Sequence, residues 1–415
     1  MTHARSLRED HEVPGVDGLR GAAALLVVAY HCAIALPSVL GLRPDAPKVI
    51  LGGGLAVPFF FVISGFLLQL PTARRDGQFG ALRRYAERRV ARICPPYWAM
   101  LFVLFCMWPF VFTSAPSPLA SKDGVVAVGV HLAFLQSLLL GPAKYAFTAD
   151  LGFGVNPAVW SLTNEVVFYA VLPFVGTRFH ERPARGLATS LAISLGWRTL
   201  CRNLPEALSL VGGPAPADWL GGHLFHQAPA YAWSFGVGMF AAEALVGRRF
   251  GWASLRRHAE WLHVVCVVAL VGFVHLGGIY DGPGPYYDYV RDLVPAAIVA
   301  LLILVTTELS AKTRAIYTSR PSRFLGDVSY GVYLFHMLVL QVAWRQVDVA
   351  RWGVEGGTHL LYATVIPAAV LVGAASYFAL ERPILRFVRH RQRIRDAEPS
   401  ATASSTQPAL GAGTA

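Results

Sequence analysis

The stretch "DGLRGAAALLVVAYH", Asp17–His31, starts as a membrane-spanning helix would, yet it carries an arginine near its beginning and a histidine deep inside. Ionisable side chains in lipid are costly and mark functional positions or a bundle interior. Eleven residues at 100° each make three turns plus roughly 20°, so Arg20 and His31 share one helix face. The helix rise between them is roughly 16 Å.

The rest of the chain has the same apolar character. Its 415 residues are 54% hydrophobic and 15% charged, against roughly 45–50% apolar and about 25% charged in soluble domains. The excess is gathered into runs of about 17–22 residues, the length that crosses a bilayer core of roughly 30 Å. Such runs lie near 17–36, 55–70, 97–113, 124–140, 158–176, 187–204, 229–246, 260–278, 293–309, 328–346 and 359–380. The fold class expected is all-α, a polytopic transmembrane helical bundle. A polar cytoplasmic head (1–12) precedes the transmembrane domain (13–390), and the tail (391–415) ends in low-complexity sequence expected to be disordered. The first apolar run reads as a retained signal anchor, with no soluble domain fused at either end.

Loop charge sets orientation. "TARRDGQFGALRRYAERRVAR" carries seven arginines and is expected inside, as are the basic loops 177–186, 247–258 and 311–324 and the end 385–395. The loop 205–228 has no Lys or Arg, and 279–292 has three Asp against one Arg, so both are expected outside. Between the inner loops 71–96 and 177–186 lie three apolar segments, an odd number that cannot return the chain to one side. The segment 124–140, which holds Gly129, His131 and Gln136, is the least lipid-like and is expected to be re-entrant or interfacial. About ten spans then remain, with both termini cytoplasmic and the protein in the cell membrane. Arg198 and Arg202, in the outer half of 187–204, are expected to snorkel to the interface.

The net charge of +11 does not indicate nucleic acid, because the arginines sit in short loops between apolar runs. The five cysteines are scattered without a CxxC, as packing residues are. His223 and His226 of "HLFH" have metal-like spacing but lack a third ligand, so no metal is expected.

Four further clusters could carry chemistry. In "RRYAERRVARICPPYW" (83–98), Arg89 and Arg92 stand three apart on an expected helix, and guanidinium groups suit bidentate phosphate recognition. In "AVWSLTNEVVFYAVLPF" (158–174), Glu165 lies inside a span, with Trp160, Ser161 and Tyr169 as possible donors; a buried carboxylate needs such partners. Ser64-Gly65 in "GLAVPFFFVISGFLL" (54–68) permits close helix approach. "SYGVYLFH" ends in a second membrane-embedded histidine, His336. Each has a structural alternative: topogenic charge for the arginines, helix-bridging hydrogen bonds for the histidines, close packing for Ser64-Gly65, and a structural ion pair or a protonated carboxyl between helices for Glu165.

Taken together and in order, "DGLRGAAALLVVAYH", "FFFVISGFLL", "RRVARICPPYW", "WSLTNEVVFY" and "FLGDVSYGVYLFH" resemble acyltransferase family 3, the multi-span membrane O-acyltransferases, over about residues 13–390. The resemblance implies transfer of an acyl group, commonly acetyl, from cytoplasmic acyl-CoA as co-substrate to a hydroxyl. Family acceptors include surface polysaccharides, lipopolysaccharide, peptidoglycan and macrolides. No bound cofactor is implied. By motif, Arg20 and His31 match the family's essential Arg–His pair, Arg89 and Arg92 its cytoplasmic arginine pair linked to acyl-CoA, and Glu165 the glutamate of its Trp-Ser-Leu motif. Thr163-Asn164 stands where the family often has Ser-Val or Ala-Val. Some relatives carry a fused extracytoplasmic hydrolase-like domain, which is not expected here. The expected mechanism has Arg20, Arg89 and Arg92 holding acyl-CoA, and His31 as general base or, on the rival route, as an acyl-bearing nucleophile. Glu165 is expected either to orient His31 or to bind the acceptor; Trp160, Ser161, Tyr169 and His336 are acceptor or orienting residues. A proton-coupled transporter or flippase is the alternative class, since intramembrane Arg, His and Glu suit it too.

Overall fold

The computed structural model describes residues 13–111, 120, 122–137, 156–210, 224–248, 251–276 and 289–397. The head 1–12, the end of the tail, His223 and most of both expected outer loops lie outside the described residues. Among the described residues every regular element is a helix. In lipid a helix satisfies its backbone groups internally, and no water has to do so.

Helix α1 (Val16–Val39) begins after Gly15, whose φ of 94° places it in the left-handed region open to glycine. A short helix α2 (Lys48–Leu51) and a 3-10 turn (Gly52–Leu55) lead into α3 (Ala56–Ala73). Helix α4 (Leu82–Val111) runs unbroken through Pro95 and Pro96. Its 30 residues extend about 45 Å, more than a bilayer core needs, so the arginine-rich first half projects from the apolar second half. The sequence had shown an apolar run near 97–113 with Arg89 and Arg92 on an expected helix before it; the two are one helix.

Helix α5 (Lys122–Leu132) has 11 residues, about 16 Å, too short to cross. The chain then turns at Phe134, whose φ is 60°. Gln136 and Ser137 donate to the carbonyls of Val159 (3.2 Å) and Trp160 (3.2 Å), tucking this end under the next helix. That helix, α6 (Trp160–Glu181), follows a 3-10 turn (Pro157–Val159) capped by Asn156. The Asn156 side chain accepts from Ala158 N–H and donates to Leu334 O at 3.0 Å. One buried amide therefore sets the start of α6 against a distant helix.

The remaining helices are α7 (Pro183–Leu210), α8 (Ala232–Gly247), α9 (Trp252–Arg257), α10 (Ala259–Leu276), α11 (Leu293–Glu308), α12 (Ala311–Thr318), α13 (Arg320–Ala343) and α14 (Val349–Ser376). A π-helical turn (Tyr377–Glu381) joins α14 to the basic helix α15 (Arg382–Ala397).

Among the described residues five helical stretches are long and apolar enough to span: Val16–Val39, Lys48–Ala73, Leu82–Phe110, Ala311–Gln346 and Val349–Arg395. Ala259–His275 and Leu293–Glu308 are apolar but shorter. Helices α6 and α7 are long enough, at 22 and 28 residues, but are broken up by polar positions.

Small residues build the interior, as expected where lipid is as apolar as the core and close van der Waals packing must hold helices together. A Cβ on Gly65 of α3 would fall 2.3 Å from Phe235 O of α8, and one on Gly326 of α13 would fall 2.4 Å from Asp17 O of α1. Around these approaches lie buried Val28, Phe61, Phe66, Tyr97, Met100 and Leu334. Large apolar groups also point outward, with Phe110 81% exposed and Phe174 70%, as suits a lipid-facing surface.

Arg198 does not snorkel. It is 2% exposed and pairs with Asp292, itself buried, at 2.8 Å. Its Nε and Nη2 also donate to Ala230 O. A carboxylate within reach makes burial of the charge tolerable, and Asp292 precedes α11, some 90 residues away, where the sequence could not show the pairing.

Candidate active site

Helices α1 and α13 bring His31 and His336 together. Their ring centroids are 5.0 Å apart, and His336 Nε2 lies 3.3 Å from His31 Nδ1. His31 Nδ1 is also 2.9 Å from Val27 O, and His336 Nδ1 is 2.6 Å from Tyr333 O. A carbonyl oxygen only accepts, so each Nδ1 carries the ring hydrogen. The unshared pair of His31 is therefore on Nε2. Tyr30 meets the His31 ring edge-on at 5.0 Å.

Tyr333 extends this layer to α6. Its hydroxyl lies 2.6 Å from both Ala158 O and Ser161 Oγ, and Ser161 Oγ is 3.2 Å from the same carbonyl, so two hydroxyl hydrogens serve these three contacts. Trp160 packs against Phe61, Tyr231 and the ring of His226.

Glu165 does not reach His31. Its carboxylate accepts from Ser64 Oγ at 3.1 Å and from the hydroxyl of Tyr169. Ser161, Glu165 and Tyr169 stand four apart on one face of α6, but Ser161 is taken by Tyr333. The serine that serves Glu165 comes instead from α3. The sequence had marked Ser64 for packing alone; the neighbouring Gly65 does that, by letting α8 approach.

From Glu165 the site continues toward the arginine-rich half of α4. Tyr85 donates to Tyr169 O at 3.0 Å, and the Arg89 guanidinium lies 5.1 Å from the centre of the Tyr169 ring and 5.6 Å from that of Tyr85. Arg89 Nε is buried without a hydrogen-bond partner. Arg92 shares the face three residues on and interacts electrostatically with Glu165 and Glu381. Among the described residues no hydrogen bond reaches either guanidinium. Open guanidinium donors of this kind have the chemistry that recognises an oxyanion.

Arg20 is placed differently. Its Nε donates to Gly326 O (3.1 Å) and Ser329 Oγ (3.0 Å), and its Nη2 to Gly326 O (2.7 Å) and Asp17 (2.9 Å). It fastens α1 to α13 and keeps Nη1 for anything further. Arg92 and Glu381 are close enough to act on it electrostatically. Glu381, 1% exposed at the end of the π-helical turn, joins this cluster although sequence reading passed it over. The available signal was a carboxylate ending an apolar run.

Among the described residues no group of three His, Cys, Asp or Glu could hold a metal ion. Asn164 donates to the backbone of His226, whose ring packs on Trp160.

A family model described as acyltransferase domain matches residues 13–378. The chain belongs to acyltransferase family 3. It is 22% identical to a peptidoglycan O-acetyltransferase of Listeria monocytogenes, over 92% of this chain and 58% of that protein. It is 24% identical to an acyltransferase of Streptomyces mycarofaciens, over 94% of this chain and 96% of that one. An exopolysaccharide production protein of Rhizobium meliloti is 27% identical over 82% of this chain and 92% of its own. The chain thus spans little more than half of the Listeria relative but nearly all of the other two. No solved structure matches it at a significant level. Membership of the family, with its apolar helices, makes this a membrane protein. Arg20 and His31 both meet α13, Arg20 at Gly326 and His31 at His336.

Proposed function

We propose that the chain is an integral membrane O-acyltransferase that moves acetyl or another short acyl group from cytoplasmic acyl-CoA to a hydroxyl of a glycan or a macrolide-type acceptor. The supporting observation is the His31 ring, held between α1 and α13 with Nδ1 bonded to a carbonyl and Nε2 left as a base. Relatives named for peptidoglycan O-acetylation and exopolysaccharide production favour a glycan; the macrolide class rests on the family resemblance. We place about ten spans in the cell membrane with both termini inside, from loop charge.

In this reading Arg89 and Arg92 bind the donor phosphates, and Arg20 holds the helix that carries the base. The thioester reaches His31 along a path comparable with the roughly 16 Å helix rise from Arg20. His31 Nε2 takes the acceptor's hydroxyl proton as its oxygen attacks the thioester carbon. The C–S bond breaks, and the CoA thiolate recovers the proton from His31. Glu165, held by Ser64 and Tyr169, binds acceptor hydroxyls.

The test uses the full chain in its membrane fraction, with labelled acetyl-CoA as donor and the membranes as acceptor source, reading label transfer and CoA release. His31→Ala is expected to lower turnover by about 10²–10⁴-fold; full activity would end the proposal. Arg89→Gln with Arg92→Gln is expected to raise the apparent KM for acetyl-CoA at least about ten-fold. An unchanged KM would leave those arginines only topogenic.

A further inference from the structure

His336 is the neighbour of His31 that no carboxylate replaces. It is fully buried, and its Nδ1–H is committed to Tyr333 O. Its Nε2 must therefore be an unshared pair, and that pair faces His31 Nδ1 at 3.3 Å. The hydrogen on His31 Nδ1 sits between two acceptors, Val27 O and His336 Nε2. Both rings are consistent with one arrangement of hydrogens only: Nδ1–H on each, with His31 Nε2 open.

We infer that His336 is a positioning residue for the transfer reaction: it locks His31 in the Nδ1–H tautomer and accepts from that nitrogen when His31 becomes an imidazolium. The inference rests on His31 being the base. An acid–base histidine needs a group behind it that fixes the tautomer and stabilises the imidazolium. An ionised carboxylate in that place would be costly to bury without a counter-charge, whereas a neutral imidazole supplies the same lone pair. Glu165, expected either to orient His31 or to bind the acceptor, is bonded to Ser64 and Tyr169. No proton is gained or lost by His336: the acceptor's proton enters and leaves at His31 Nε2, and the Nδ1 hydrogen stays where it is.

The same membrane assay tests this with His336→Leu, which removes the side-chain acceptor and leaves only Val27 O, and His336→Gln, whose amide oxygen restores one at similar reach. His336→Leu is expected to lose about 100-fold in turnover with the KM for acetyl-CoA within about two-fold. His336→Gln should recover about ten-fold of that loss. In a His31→Ala background His336→Leu should cost nothing more, because residues acting as one unit are not additive. Should His336→Leu fail to accumulate in the membrane, His336→Phe keeps the ring volume and serves in its place. Wild-type turnover in a variant lacking the acceptor overturns the inference. So does an equal loss in the Gln and Leu variants that adds to that of His31→Ala. An inactive His31→Ala beside a fully active His336→Leu sinks only this inference, while an active His31→Ala sinks the base assignment itself.

Discussion

Tyr169 does two jobs with two parts of one side chain. Its hydroxyl donates to Glu165, and its ring lies under the Arg89 guanidinium. Tyr169→Phe keeps the ring and removes one of the two donors on the carboxylate. Turnover should fall about ten-fold with the donor KM unchanged, since the hydrogen bond lost is a charge-assisted one. Tyr169→Leu removes the cation–π surface as well and should also raise the KM for acetyl-CoA. Steady-state kinetics on both variants checks the division; identical profiles would refute it. At this scale the sequence singled out its candidate residues because intramembrane charge is conspicuous. It placed Arg20, His31, Arg89, Arg92 and Glu165 on the right helices. It could not divide their duties. Arg20 and His31 share a face, yet one bonds backbone on α13 and the other meets a ring there. That difference depends on what stands opposite each residue.

Helix pairs here depend on where a methyl group would not fit. Gly326 of α13 lies against the α1 backbone at Asp17, and its carbonyl is the acceptor for Arg20. Gly326→Ala should therefore cost about 1–3 kcal/mol through overpacking and lower activity by moving Arg20. Gly129→Ala, with nothing within 4 Å of the added carbon, should be silent. Thermal unfolding in detergent, alongside turnover, separates the two; a silent Gly326→Ala would mean the helices can part without consequence. Periodicity and apolar length located most of these helices to within a few residues. They gave only the apolar run 97–113 for α4 and did not show that the arginine-bearing helix continues into it through Pro95-Pro96. They also misjudged Arg198, because its partner Asp292 is remote in sequence.

For the whole molecule, loop charge makes a definite forecast of orientation. With the five native cysteines replaced, Ser254→Cys and Arg391→Cys should react with an impermeant thiol reagent only after the membrane is opened. Asn203→Cys should react in intact cells. All three residues are exposed, so the labelling pattern reads sidedness directly, and the reverse pattern would invert the topology. The sequence by itself determined the class of molecule: a helical membrane protein whose polar residues cluster in a few motifs. Apolar run length and residue type carry that information locally, because a bilayer imposes the same length on every span. The tertiary structure alone decided which motifs touch. It set His336 behind His31, Ser64 beside Glu165 and Asp292 against Arg198. It also brought Glu381 near Arg20 and Arg92. Each contact joins residues on separate helices, and in lipid the choice of neighbour follows from close packing of small residues and from mutual satisfaction of buried polar groups. Neither has a period along the chain.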